Sequence, residues 1–146
     1  MADAASGPTP GKVAFELVSP ERLLASEEVD MVVAPGAAGD FGVLPEHSPL
    51  MSLLRPGVIE IYEGSRVAQR IFVGGGFAEV NEKGCTVLAE EAMPVGDIDV
   101  AEAEKRIKLA NDDLSRADDD VTKAKIERDI SIAEAMIEAA KGGASH

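Results

Sequence analysis

The chain has 146 residues, 45% of them hydrophobic and 28% charged, with 27 acids against 14 bases for a net charge of −13. That is one ordinary folded domain, or a small domain with an appendage, and not a disordered chain. The charge repels phosphate backbones and anionic lipid, and one Tyr, four Phe and no Trp leave little for base stacking, so no nucleic acid and no direct membrane insertion are expected.

Residues 1–11 begin Met1-Ala2-Asp3-Ala4-Ala5-Ser6-Gly7-Pro8, with neither a basic start nor an apolar block. The expectation is a disordered leader rather than a secretory signal or transit peptide. Residues 12–97 hold nearly all the Pro and Gly that follow, in short β-rich runs separated by turn residues. Val13–Val18 reads as a strand stopped by Ser19-Pro20, and Val29–Ala34 as another closed by Pro35-Gly36. Leu23–Val29 is open to a short helix. Val58–Tyr62 and Arg66–Val73 flank Glu63-Gly64-Ser65, which predicts a hairpin. Gly76–Val80 and Cys85–Ala89 flank Asn81-Glu82-Lys83-Gly84 and predict a second. Many short strands without intervening helices indicate an antiparallel β-sandwich or barrel.

Residues 98–141 change period. No Pro occurs here, and Pro and strong helix breakers would be needed to interrupt a long helix. Val100, Ala103, Ile107, Ala110 and Leu114 make one helical stripe, and Asp97 or Asp99 can cap its start. After the polar cluster Ser115–Asp120, a second stripe follows: Ile126, Ile130, Ala133 and Ile137, widened by Ile132 and Met136. Lys141 sits in its last turn and Gly142-Gly143 stops it, leaving 142–146 as a mobile tail. The pattern fits an antiparallel two-helix hairpin, with one continuous helix as the alternative. The fold class is α+β, a sandwich followed by a helical hairpin. Many stripe members are Ala, and even a fully buried Ile or Leu contributes only ~1.5–3 kcal/mol, so the hairpin leans on the sandwich or on a partner. Such a module can be permanently packed, or it can detach.

Chemistry-bearing motifs are few. One Cys and two His, one of them the last residue, are too few for a His/Cys metal site, and one Cys forms no internal disulfide. Gly74-Gly75-Gly76 lacks the Gly-x-x-x-x-Gly-Lys-Ser/Thr pattern and precedes no helix, so close backbone approach or a bend explains it better than a nucleotide loop. The stretch Gly39–Leu50 places Asp40, Glu46 and His47 among two Gly and two Pro. Neighbouring Glu46 and His47 would point apart in extended chain, which disfavours a general-base pair. A solvated turn and a rigid recognition loop remain as readings. No catalytic residue, metal or cofactor is expected.

The motif Gly39-Asp40-Phe41-Gly42-Val43-Leu44-Pro45-Glu46-His47-Ser48-Pro49-Leu50, followed by Leu54-Arg55-Pro56-Gly57, resembles the signature of the epsilon-subunit family of bacterial F-type ATP synthase, called delta in mitochondria. Phe72-Val73-Gly74-Gly75-Gly76-Phe77-Ala78-Glu79-Val80, Thr86–Glu90 and Ile98-Asp99 continue the likeness in order, over about residues 12–140. The resemblance implies a non-catalytic subunit at the foot of the rotating central stalk, binding the gamma subunit and the c-subunit ring and so coupling proton flow to ATP synthesis. It implies that Asp40, Phe41, Val43, Glu46 and His47 form that contact. It also implies a peripheral place on the cytoplasmic face of a bacterial inner membrane. The helices of some relatives reach the alpha and beta subunits and inhibit ATP hydrolysis. Here residues 121–141 hold four bases against four acids, which leaves no basic face, so the compact state is expected. Some relatives also sense ATP through Ile/Leu-Asp-x-x-Arg-Ala. Here Asp99 is followed by Glu102 at the Arg position, and an acid repels phosphate, so weak or absent nucleotide binding is expected. A free-standing acidic protein-binding module is the alternative function.

Overall fold

The computed structural model describes residues 9–142. Ten strands come first: β1 Val13–Val18, β2 Leu23–Val29, β3 Met31–Gly36, β4 Gly39–Val43, β5 Leu50–Leu54, β6 Gly57–Glu63, β7 Arg66–Val73, β8 Gly76–Val80, β9 Gly84–Ala89 and β10 Ala92–Pro94. A 3-10 turn at Val95–Asp97 leads to α1, Val100–Leu114, and α2, Asp120–Ala140. The leader and tail expectations fall mostly on 1–8 and 143–146, outside the described residues. Residues 9–11 form a turn, in which the Lys12 N–H donates to the Thr9 carbonyl at 3.0 Å.

The strands run β10-β7-β6-β3-β5-β8-β9-β1-β2, with β4 also on β3. All pairs are antiparallel except β1 with β9. The β3–β5 junction rests on one ladder pair, Gly36 with Leu54. The sheet folds over there into two layers. Alternate residues of each strand meet between them, as the period of two requires. Val13, Phe15 and Leu17 of β1 lie against Val32 and Ala34 of β3, Ile59 and Ile61 of β6 and Val87 of β9 in one buried cluster.

The run Ile71-Phe72-Val73 is buried throughout, which a strand with one solvated face would not show. Ile71 and Val73 face the sandwich core, and Phe72 faces outward under the helices. Phe72 and Val58 make a second cluster with Ala103, Ile132, Met136 and Ala139. Gly74 makes the close approach possible. A Cβ there would lie 3.1 Å from Glu91 Cβ and 3.2 Å from Ile132 Cγ2.

Asp99 caps α1 by accepting the Glu102 N–H at 3.2 Å. Asp119 caps α2 by accepting both the N–H and the hydroxyl of Thr122, at 3.0 and 2.7 Å, which holds its carboxyl below the usual carboxylate range. Gly142, at φ +81°, turns the chain out of the helix.

The fold departs from the sequence reading in four places. Leu23–Val29 is a strand, paired along β1 from Val13–Val29 to Val18–Leu23. The expected loop from Gly39 holds β4, where Phe41 and Val43 point inward and the intervening Gly residues hide the alternation. Leu50–Leu54 and Ala92–Pro94 are also strands. The buried seam of α2 runs through Ile132, Ala133, Met136 and Ala139, so Ile126, Ile130 and Ile137 sit at its margins, half-buried.

Candidate partner-binding surface

The connection between β4 and β5, residues 44–49, forms one end of the sandwich. Its backbone is shaped by Pro45, Pro49 and Glu46, and Glu46 holds a left-handed φ of +61°, costly for a side-chain-bearing residue. Its neighbour His47 is half-buried, with Nδ1 2.6 Å from the Ser48 carbonyl oxygen, so the Nδ1–H donates there. The imidazole is oriented by backbone rather than by Glu46, which removes the geometry of a general-base pair.

Asp40 faces outward from β4. Its Oδ1 accepts from Arg55 Nη2 at 2.5 Å, while Arg55 Nη1 donates to the Gly36 carbonyl at 2.6 Å. Phe41 is half-buried, and its ring fills the space a side chain at Gly36 would need, since a Cβ there would come within 3.0 Å of it. Val43 is a correction. It is 0% exposed in the core, so its side chain offers a partner nothing while the sandwich is folded. The exposed members of the predicted set are Asp40 and Glu46, with Phe41 and His47 half-buried; Asp40 lies beside Arg55 at the start of β4 and Glu46 beyond its end, so the structure does not bring the two together.

A second surface was not read from the sequence. On the outer face of the β5–β8–β9–β1–β2 layer, Leu53 pairs with Phe77, Phe77 with Leu88, Leu88 with Val18, and Val18 with Leu23. Five apolar side chains from five adjacent strands thus form one row across the sheet. Leu53 is 71% exposed, Leu23 56% and Leu88 39%. The adjoining row is Met51, Glu79, Thr86, Glu16 and Ser26, so acids border the apolar stripe. A groove of about 680 Å³ separates Leu53, Phe77 and Leu88 from Arg128 and Ser131 of α2. Contiguous exposed apolar rows of this kind mark interaction surfaces. Leu53 stands three residues along β5 from Leu50, or about 10 Å at ~3.3 Å per residue, so the row is set back from the 44–49 tip. The signal that could have found it is the apolar residues on both faces of β5 and β9, such as Leu53-Leu54 and Val87-Leu88.

The predicted nucleotide-sensing position is differently occupied. The Asp99 carboxylate is committed to capping α1, and Glu102 is exposed. A groove of about 620 Å³ between the helices is lined by Glu102, Asp113 and Asp129 against Lys105, Arg106 and Lys125, an even balance of charge. Arg106 is held by Glu91 and Asp129, and these hydrogen bonds push its pKa up. No guanidinium in the groove is left for phosphate. Among the described residues no group of three His, Cys, Asp or Glu could hold a metal ion.

A family model described as "ATP synthase, Delta/Epsilon chain, beta-sandwich domain" matches residues 12–95. The ATP synthase epsilon chain of Paramagnetospirillum magneticum is 54% identical over 125 residues, covering 86% of this chain and 94% of that one. The epsilon chain of Rhodospirillum rubrum is 52% identical over 128 residues, covering 88% and 96%. In fold, the chain is similar to a subunit of the Euglena gracilis mitochondrial ATP synthase OSCP/F1/c-ring assembly, with a TM-score of 0.74, 24% identity and coverage of 95% and 88%. It is also similar to one of the Tetrahymena thermophila mitochondrial ATP synthase central stalk and c-ring, with a TM-score of 0.65, 15% identity and coverage of 88% and 96%.

Proposed function

This chain belongs to the delta/epsilon family of ATP synthase, and from that premise we propose that it joins the c-subunit ring to the gamma subunit in the central stalk. It is a non-catalytic subunit of that complex. Its role is mechanical: torque passes between neighbours only if the part between them keeps its shape. A doubly layered sandwich with a close-packed core does so.

The observation that carries the reading is the presence of two separate faces on one rigid body. The 44–49 tip, with Glu46 and His47, is polar and shaped by Pro, and it meets the polar loops of the c ring, with Asp40, paired to Arg55 at the other end of β4, as a further contact. The row Leu53–Phe77–Leu88–Val18–Leu23 is apolar and bordered by Glu79 and Glu16, and it meets gamma on an apolar stripe edged with Lys or Arg. Neither face needs the other to move, so ring and shaft are held at a fixed angle.

The helices stay docked on the sandwich in this reading. Residues 121–141 have no net positive charge with which to engage acidic catalytic subunits, so a contact with alpha or beta through α2 gains little. The complex is membrane-associated. No helix among the described residues is long and apolar enough to cross a membrane. The subunit is therefore held there by its neighbours, on the cytoplasmic face of a bacterial inner membrane.

Paired crosslinking in the assembled enzyme tests the assignment. Glu46→Cys should crosslink to a cysteine in the polar loop of the c subunit, and Leu88→Cys to gamma. Reproducible absence of both crosslinks would sink the reading, and exchange of the two partners would reverse the faces.

A further inference from the structure

The helical hairpin is attached to the sandwich in three layers. The β6–β7 face lies innermost, α2 rests on it through Ile132, Met136 and Ala139, and α1 packs against α2. α1 contributes only one buried side chain, Ala103, to the apolar cluster that joins helices and sandwich. So little apolar area gives the outer helix a weak grip of its own.

One side chain crosses all three layers. Arg106, midway along α1, places Nη1 2.8 Å from Glu91 Oε2 and Nη2 3.1 Å from Glu91 Oε1, in the turn between β9 and β10. It also places Nε 3.1 Å and Nη2 2.5 Å from Asp129 Oδ1 on α2. Its Nη1 lies 3.7 Å from the Met136 sulfur, within the apolar seam. A planar guanidinium can serve two carboxylates at once, and a lysine could not reproduce that geometry. The anchor is fixed on the sandwich side, because the Gly74 N–H donates to the Glu91 carbonyl at 2.7 Å. Glycine at 74 leaves room for Glu91 beside Ile132, so the ionic junction and the apolar seam occupy one place.

We infer that Arg106 is the clasp of the helical hairpin, and that its ionic junction holds the hairpin on the sandwich together with the apolar seam beside it. The three groups are partly shielded, with side-chain exposures of 28% for Arg106, 30% for Glu91 and 43% for Asp129. Removing the cation leaves two carboxylates facing each other at the seam. Removing Glu91 unties α1 from the sandwich while leaving it tied to α2, so the two helices are then held as a pair by the apolar seam alone. The clasp thus makes the hairpin a unit that opens without unfolding the domain beneath it. It also makes the opening sensitive to salt, since partly exposed charges are screened over about 10 Å at 0.1 M ionic strength.

Hydrogen exchange on the full chain, read residue by residue, tests this. In Arg106→Met, which keeps the apolar stem, amide protection across 100–140 is expected to fall about tenfold, a loss matching charge-assisted hydrogen bonds. The amides of β3 and β9 are expected to keep theirs, which also reports that the variant is folded. Glu91→Gln should reproduce the fall, and the double variant should be no worse than Arg106→Met alone. At about 1 M salt the wild type should approach the variant. Arg116→Met, whose pair with Asp113 is exposed, serves as the control and should change nothing. The clasp is refuted if hairpin protection survives Arg106→Met, if the sandwich loosens equally, or if the Arg106 and Glu91 effects simply multiply.

Discussion

Arg55 and Asp40 stand fifteen positions apart and meet at 2.5 Å, while the other arm of Arg55 holds the Gly36 carbonyl at 2.6 Å. The residue at the proposed ring contact therefore has its carboxylate oriented from beneath. Both side chains are substantially exposed, at 46% and 61%, so the pair contributes no more than about 1 kcal/mol to folding. Asp40→Asn is expected to leave the urea midpoint of the isolated chain almost unchanged and to weaken its reassembly with the membrane sector. A large stability loss with intact reassembly would make the pair structural instead.

Phe72 is the side chain on which the hairpin rests, 0% exposed between Val58 and the α2 residues Ile132 and Met136. Phe72→Ala should cost about 3–5 kcal/mol in urea denaturation. Gly74→Ala should cost about 1–3 kcal/mol through overpacking, because the new methyl must displace Glu91 or Ile132. It should also loosen the helices before the sandwich, which hydrogen exchange of the helix and strand amides would separate.

Cys85 is buried in the core, and burial pushes its thiol up to about 12. Alkylation of the native chain at mildly alkaline pH should be very slow, and addition of denaturant should make it fast. Above about pH 9 the unfolded chain loses this proton and the folded chain keeps it. Stability should then fall as pH rises, at roughly 1.4 kcal/mol per unit from this group, until the folded thiol itself ionises. The measurement is the difference in alkaline slope between wild type and Cys85→Ala. Equal slopes would show the thiol to be hydrated.

Nucleotide binding should be absent. Asp99 caps α1, Glu102 replaces the expected cation, and Arg106 is engaged by two carboxylates. Calorimetric titration of the isolated subunit with ATP should give no saturable heat up to millimolar concentration. Removing everything after Gly96 should leave ATP hydrolysis by the assembled enzyme close to its starting rate. Tight ATP binding, or a large rise in hydrolysis on truncation, would overturn the docked, non-sensing assignment.

Much of the framework was legible because it is local. β1, the β6–β7 and β8–β9 hairpins and both helices show their own periods, and Asp99 and Gly142 mark helix ends by side-chain and backbone chemistry that needs no distant partner. β4 was illegible because Gly39 and Gly42 carry no side chains to show alternation. Leu23–Val29 was ambiguous because Glu27 and Glu28 weaken its pattern.

The linear sequence by itself determined the family, the change from a period of two to a period near 3.6, and the acidic charge. These reside in neighbouring residues and survive without coordinates. Only the tertiary structure decided that Val43 faces inward, that Leu53, Phe77, Leu88, Val18 and Leu23 line up, and that Arg106 joins residues fifteen and twenty-three positions away. The reason is physical: strand register and helix docking are set by which distant apolar faces pack together. A side chain's neighbours across that packing are written in no local pattern.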